Sequence, residues 1–190
     1  MKTTFLAALT LALASSAQAA IIQFDLLGKG SAGLSSTNEN VVVTGVPGTG
    51  GESGAGIFFD DITKILTINV AWGSGNGFTN LTGNATAGHI HGPTVSGGTA
   101  SFTENGGVLV GLDSLPGWNP SSISGGVTNG TLTLTAPQEA ALLAEKTYIN
   151  IHTGTNGGGE MRGNLVVVPE PSHAILSLVG LVLLGTRRKR

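Results

Sequence analysis

Glycine decides what this chain can become. There are 31 glycines, and they cut the apolar residues into short runs, with Asn and Pro supplying further breaks. Short runs between Gly, Asn and Pro read as strands joined by tight turns. The runs predict strands over 21–27, 41–45, 56–60, 64–72, 87–91, 99–103, 108–112, 130–135, 148–153 and 161–168. The clearest hairpin joins 57–59 to 64–70 through Asp60-Asp61-Ile62-Thr63. In its second arm Leu66, Ile68 and Val70 share one face, and Ile65, Thr67 and Asn69 share the other. Segments 28–40 and 73–85 read as loops. One helix is expected, opened by Ala136-Pro137-Gln138-Glu139, where Pro sits in the first turn and has no bond to lose. Glu139 suits the N-terminal dipole, Leu142 and Leu143 are expected to pack inward, and Lys146 stands near the far end. The expected fold class is all-β: a single antiparallel β-sandwich or flattened barrel with one short connecting helix.

Both ends of the chain read as targeting segments. Lys2 is followed by the apolar stretch FLAALTLALA, and then by small residues at Ala17 and Ala19. That is the pattern of a secretory signal peptide over residues 1–19, cut after Ala19. It implies the Sec machinery and a signal peptidase as partners. At the other end Pro169-Glu170-Pro171 precedes the apolar run AILSLVGLVLLG and the basic cluster Arg187, Arg188, Lys189 and Arg190. The run is short of the ~20 residues of an ordinary spanning helix, and the basic cluster would hold the end in the cytoplasm. This tail, 169–190, resembles a PEP-CTERM sorting signal. The resemblance implies transient anchoring in the inner membrane, cutting by an exosortase near Pro169-Glu170-Pro171, and delivery to the cell surface or beyond. It also implies a link to exopolysaccharide.

Between these ends, residues 20–168 form the expected folded domain. Its cations are Lys29, Lys64, Lys146 and Arg162, set against ten acidic residues, so its net charge is −6. An acidic, lysine-poor domain has no means of releasing counterions from nucleic acid, and nucleic acid is excluded as a partner. The chain has no cysteine, so an exported domain must be held by its core rather than by disulfides.

Three strings concentrate chemistry: Gly88-His89-Ile90-His91-Gly92-Pro93, Tyr148-Ile149-Asn150-Ile151-His152-Thr153, and Gly159-Glu160-Met161-Arg162-Gly163-Asn164-Leu165. Alternate residues of a strand share a face. His89 and His91 therefore align, as do Tyr148, Asn150 and His152, and as do Glu160, Arg162 and Asn164. If the intervening aliphatics form one core, all of these polar groups gather on the opposite side. Two readings of that face stay open. His89, His91 and His152, with Glu160 as a fourth ligand or an orienting acceptor, make a metal site, and imidazole suits copper or zinc. Alternatively the histidines, Tyr148, Asn150, Glu160, Arg162 and Asn164 form a structural polar network that pins strand register. An arginine beside the acid weighs toward the network. No nucleophile–base string such as Gly-x-Ser-x-Gly occurs, so no catalytic residue is assigned and no enzymatic activity is expected.

The same three strings resemble the CHRD domain, known from chordin and from many bacterial secreted proteins. Met161 stands where an Ile or another aliphatic is usual. The resemblance implies an all-β extracellular module without an established reaction. The expected function is that of an exported structural or binding module of the cell surface or extracellular matrix. The alternative is a periplasmic or extracellular copper- or zinc-binding protein.

Overall fold

The computed structural model describes residues 20–119 and 123–169. The expected export signal, residues 1–19, and residues 170–190 of the expected sorting tail lie outside them, and of the Pro-Glu-Pro motif only Pro169 is described, exposed. Ten strands and one α-helix are described: β1 (Ile21–Leu27), β2 (Leu34–Ser35), β3 (Thr49–Glu52), β4 (Ile57–Asp60), β5 (Ile65–Trp72), β6 (Ala85–His91), β7 (Val108–Gly111), β8 (Gly125–Thr133), α1 (Ala136–Leu143), β9 (Tyr148–Thr153) and β10 (Met161–Val167). Every strand pairing is antiparallel. The expected all-β class with one short helix is what these residues form.

The strands make one sheet with two shared rows. β1 and β2 both lie along β10, and β4 and β3 both lie along β5. The sheet therefore runs β8, β5, then β4 with β3, then β1 with β2, then β10, β9, β6 and β7. β5 and β6 stand far apart in that row, yet Leu66 and Ile90 line one small apolar cavity with Leu109, Val110, Leu134 and Leu142. The sheet is thus folded over on itself like a sandwich. Its concave side holds a single core that includes Phe24, Leu26, Ile57, Phe59, Ile68, Trp72, Ile149, Ile151, Met161 and Leu165. Trp118 packs against this core with its ring 5.5 Å from that of Trp72.

The hairpin of β4 and β5 matches its expectation. Asp60 accepts from the amides of Ile62 and Thr63, which is turn chemistry. Leu66, Ile68 and Val70 are buried in the core. α1 starts as read, with Gln138 closing back on the Thr135 amide at 2.9 Å. Leu142 is buried, but Leu143 is exposed, because an eight-residue helix lying on the sheet turns only one of two adjacent leucines inward. The anticipated strand over 41–45 is a loop. Val42 faces solvent, and the Thr44 amide bonds the Asn156 side chain rather than a neighbouring strand. The anticipated strand over 99–103 is a 3-10 turn, Gly98–Thr103, which buries the adjacent Ser101 and Phe102. Segment 28–40 contains β2 and a second 3-10 turn, Ser36–Asn38. β3 was invisible in the sequence because Gly50 has no room for a side chain: a Cβ there would lie 2.5 Å from the Ala71 carbonyl oxygen. Among the described residues no helix is long and apolar enough to cross a membrane.

Candidate metal centre

β6, β9 and β10 lie side by side, and their register builds the site. His91 stands opposite Tyr148, His89 opposite Asn150, and Ala87 opposite His152. On the other side of β9, Asn164 stands opposite Tyr148 and Arg162 opposite Asn150. Ile90, Ile149 and Ile151 fill the core, so the polar residues between them project from the convex face. That face is not left bare. Tyr148, Asn150, Arg162 and Asn164 are all buried, and residues 36–40 and 98–106 are bonded to them from outside.

Each of the three half-buried histidines offers a ring nitrogen, and these nitrogens all lie within 4.8 Å of one another. Backbone carbonyls dictate two of the tautomers. His91 Nδ1 lies 3.1 Å from the Gly106 carbonyl oxygen, and His152 Nδ1 lies 3.0 Å from that of Gly157. A carbonyl can only accept, so both Nδ1 atoms carry the proton and both Nε2 atoms carry a lone pair. The His152 Nε2 lies 3.1 Å from His89 Nδ1. The His91 Nε2 is buried and makes no hydrogen bond among the described residues, which is costly for a neutral acceptor and leaves its lone pair available to a metal. Burial pushes both imidazoles below the usual histidine range, against the pull of their carbonyl partners, so both stay neutral at pH 7. Neutral imidazoles oriented through Nδ1 by a carbonyl acceptor are the form in which histidine binds metal. The residues present therefore fit a copper or zinc ion.

Tyr148 sits at the hinge of this arrangement. Its ring stacks on His91 at 5.0 Å and 8°, and its hydroxyl bonds the amide and carbonyl of Gly106. The Arg162 guanidinium lies 3.6 Å over the Tyr148 ring. It donates to Asn164 Oδ1, Asn105 Oδ1 and the Ser101 carbonyl, at 3.0, 3.0 and 3.1 Å.

Glu160 lies apart from the histidine cluster. Its carboxylate accepts from the amides of Gly48 and Thr82, the hydroxyls of Thr82 and Thr153, and the Asn156 side chain. Burial pushes this acid up, but the bonds from Thr82, Gly48 and Thr153 outweigh it and hold it below the usual carboxylate range. Glu160 neither bonds Arg162 nor belongs to the histidine cluster; it staples three loops. The structure thus brings together His89, His91 and His152 as one cluster and Tyr148, Arg162 and Asn164 as an adjoining network.

The strings that build this site are spanned by a family model. The CHRD domain model matches residues 31–165. The chain belongs to the CHRD domain family. No curated protein and no solved structure matched it. Several residues that complete the CHRD domain's polar face carried no signal in the sequence. Asn38 is fully buried, donates to the Arg162 carbonyl and accepts from the amides of Gly30 and Ser31. Glu39 packs against Asn150, with its carboxyl pushed up to about 7 by burial, against the pull of Arg162. A usable signal existed at Gly159. Its φ of 127° and the 2.5 Å from an added Cβ to the Asn150 amide explain why glycine precedes Glu160.

Proposed function

We propose that this CHRD domain is an exported module of the cell surface or extracellular matrix that acts by binding rather than by catalysis, and that it holds a copper or zinc ion on His89, His91 and His152. The observation that carries the metal reading is the convergence of three imidazole nitrogens within 4.8 Å, two of them fixed in their ligating tautomer by backbone carbonyls. Export, through the Sec machinery and signal peptidase, rests on the sequence of residues 1–19. Sorting by an exosortase through the inner membrane, towards exopolysaccharide, rests on Pro169-Glu170-Pro171, the apolar run and the basic end.

Elemental analysis of the purified chain, dialysed against copper and then zinc, tests the metal reading. Near one ion per chain is expected, falling to background when His89, His91 and His152 are replaced by Ala. A specific observation favours a second reading. The His89–His152 contact at 3.1 Å is already a hydrogen bond, so the histidines can serve as structural pins without any ion. A well-folded chain that retains no metal would establish that reading instead.

A further inference from the structure

The histidine cluster can be read further, to the oxidation state of its metal; this rests on the metal reading above. Its three donors are imidazoles, which ligate a metal without adding negative charge, and no carboxylate joins them among the described residues. Divalent copper favours a tetragonal set of nitrogen and oxygen ligands, and three nitrogens fall short of it. The charge nearby decides in the same direction. Arg162 is fully buried, always cationic, and among the described residues its guanidinium is bonded only to the neutral oxygens of Asn164, Asn105 and Ser101. No described carboxylate comes within 4.0 Å of its guanidinium. β9 lies between β6 and β10, so His91 and Arg162 occupy opposite faces of the Tyr148 ring, and only that ring separates them. The guanidinium is thus within about 9 Å of the His91 imidazole. Glu39 opposes this cation without touching it, so a buried positive charge with no carboxylate in contact stands at that range and penalises each added positive charge on the ion.

We infer that the cluster is a copper(I) site, which holds monovalent copper in preference to the divalent ion. The neutral ligand set leaves the ion's own charge unbalanced, and the Arg162 cation behind Tyr148 raises the penalty for the second charge. Asn105 is the point at which this can be tested without touching the cluster. It is exposed, and its Oδ1 accepts from Arg162 and from Asn40. Asn105→Asp keeps both bonds in the same shape and adds a negative charge in contact with the guanidinium. Asn105→Ala removes the bonds and adds none.

The experiment titrates the purified full chain with copper(I) under anaerobic reducing conditions, and separately with copper(II) and zinc(II), each against a chromophoric chelator of known affinity. Copper(I) is expected to bind more tightly than copper(II). In Asn105→Asp that preference should fall about tenfold, which for a one-electron couple is a shift of about 59 mV to lower potential. Asn105→Ala should leave it within about twofold. Tighter copper(II), or a preference unmoved by Asn105→Asp in a chain that binds metal, overturns the inference while leaving the metal reading standing. No uptake of any of the three ions overturns both.

Discussion

Glu39 is the residue whose environment is most at odds with its charge. It is buried, its Oε1 makes no hydrogen bond, and the Oδ1 of neighbouring Asn150 also makes none. Two unpaired acceptors in one buried spot are relieved when Glu39 carries a proton, consistent with burial raising its carboxyl to about 7. The linkage follows from the direction of that shift. Between about pH 4.5 and 7 the folded chain keeps a proton that the unfolded chain has released, so stability falls as pH rises through this window and levels off above it. Glu39→Gln, which imitates the protonated acid, should stabilise the domain by about 2–3 kcal/mol at pH 8 and by little at pH 5. Urea unfolding at both pH values checks this, and parallel pH dependence in variant and parent would contradict it.

At the scale of elements, the turn between β9 and β10 closes the polar face. Gly159 holds φ 127°, and an added Cβ would come within 2.5 Å of the Asn150 side chain and 2.8 Å of Glu39 Oε1. Gly159→Ala is expected to destabilise by about 2 kcal/mol or more, through backbone strain and crowding together. An unchanged urea midpoint would show that the turn can yield. Strands with a clean alternation were legible in the sequence: β5 with Leu66, Ile68 and Val70, β9 with Ile149 and Ile151, and the His-x-His arm of β6. Strands whose apolar partners are glycines were not, since Gly50 and Gly51 of β3 pack through backbone alone and leave no pattern. Val41-Val42-Val43 misled for the opposite reason. β-branched residues favour strands, but among the described residues no strand pairs with this segment. The three histidines could be placed on one face by period two, whereas their carbonyl partners Gly106 and Gly157 could not, because a backbone acceptor has no side chain to announce it.

At the scale of the whole molecule, the chain joins a folded domain to two ends, residues 1–19 and 170–190, that lie outside the described residues and that we propose act in targeting. If the tail directs sorting, deleting residues 169–190 should move the protein out of the membrane fraction and into the medium or periplasm. Cell fractionation with immunoblotting reads this directly, and an unaltered distribution would refute the sorting role. The CHRD membership and the all-β class were legible from strings whose residues alternate between core and polar face. The position of Glu160 was not. Strand periodicity aligned it with Arg162, but the chain leaves regular pairing at Gly159, and the carboxylate turns instead toward five donors, four on three loops and one, Thr153, at the end of β9.

The covering of β6, β9 and β10 by residues 36–40 and 98–106 gives the domain two interiors, one oily and one wired by hydrogen bonds. Their thermal behaviour differs. Exposing apolar surface on unfolding raises the heat capacity, whereas exposing polar surface lowers it. Arg162, Asn38, Asn150, Asn164 and Ser101 are buried in the second interior, and their release offsets part of the increment from Phe24, Phe59, Trp72 and the core aliphatics. The domain should therefore unfold with a heat-capacity increment below the ~12–15 cal/mol/K per residue common among globular proteins. A smaller increment flattens the stability curve, so a protein built this way keeps a more even margin between cold and warm surroundings.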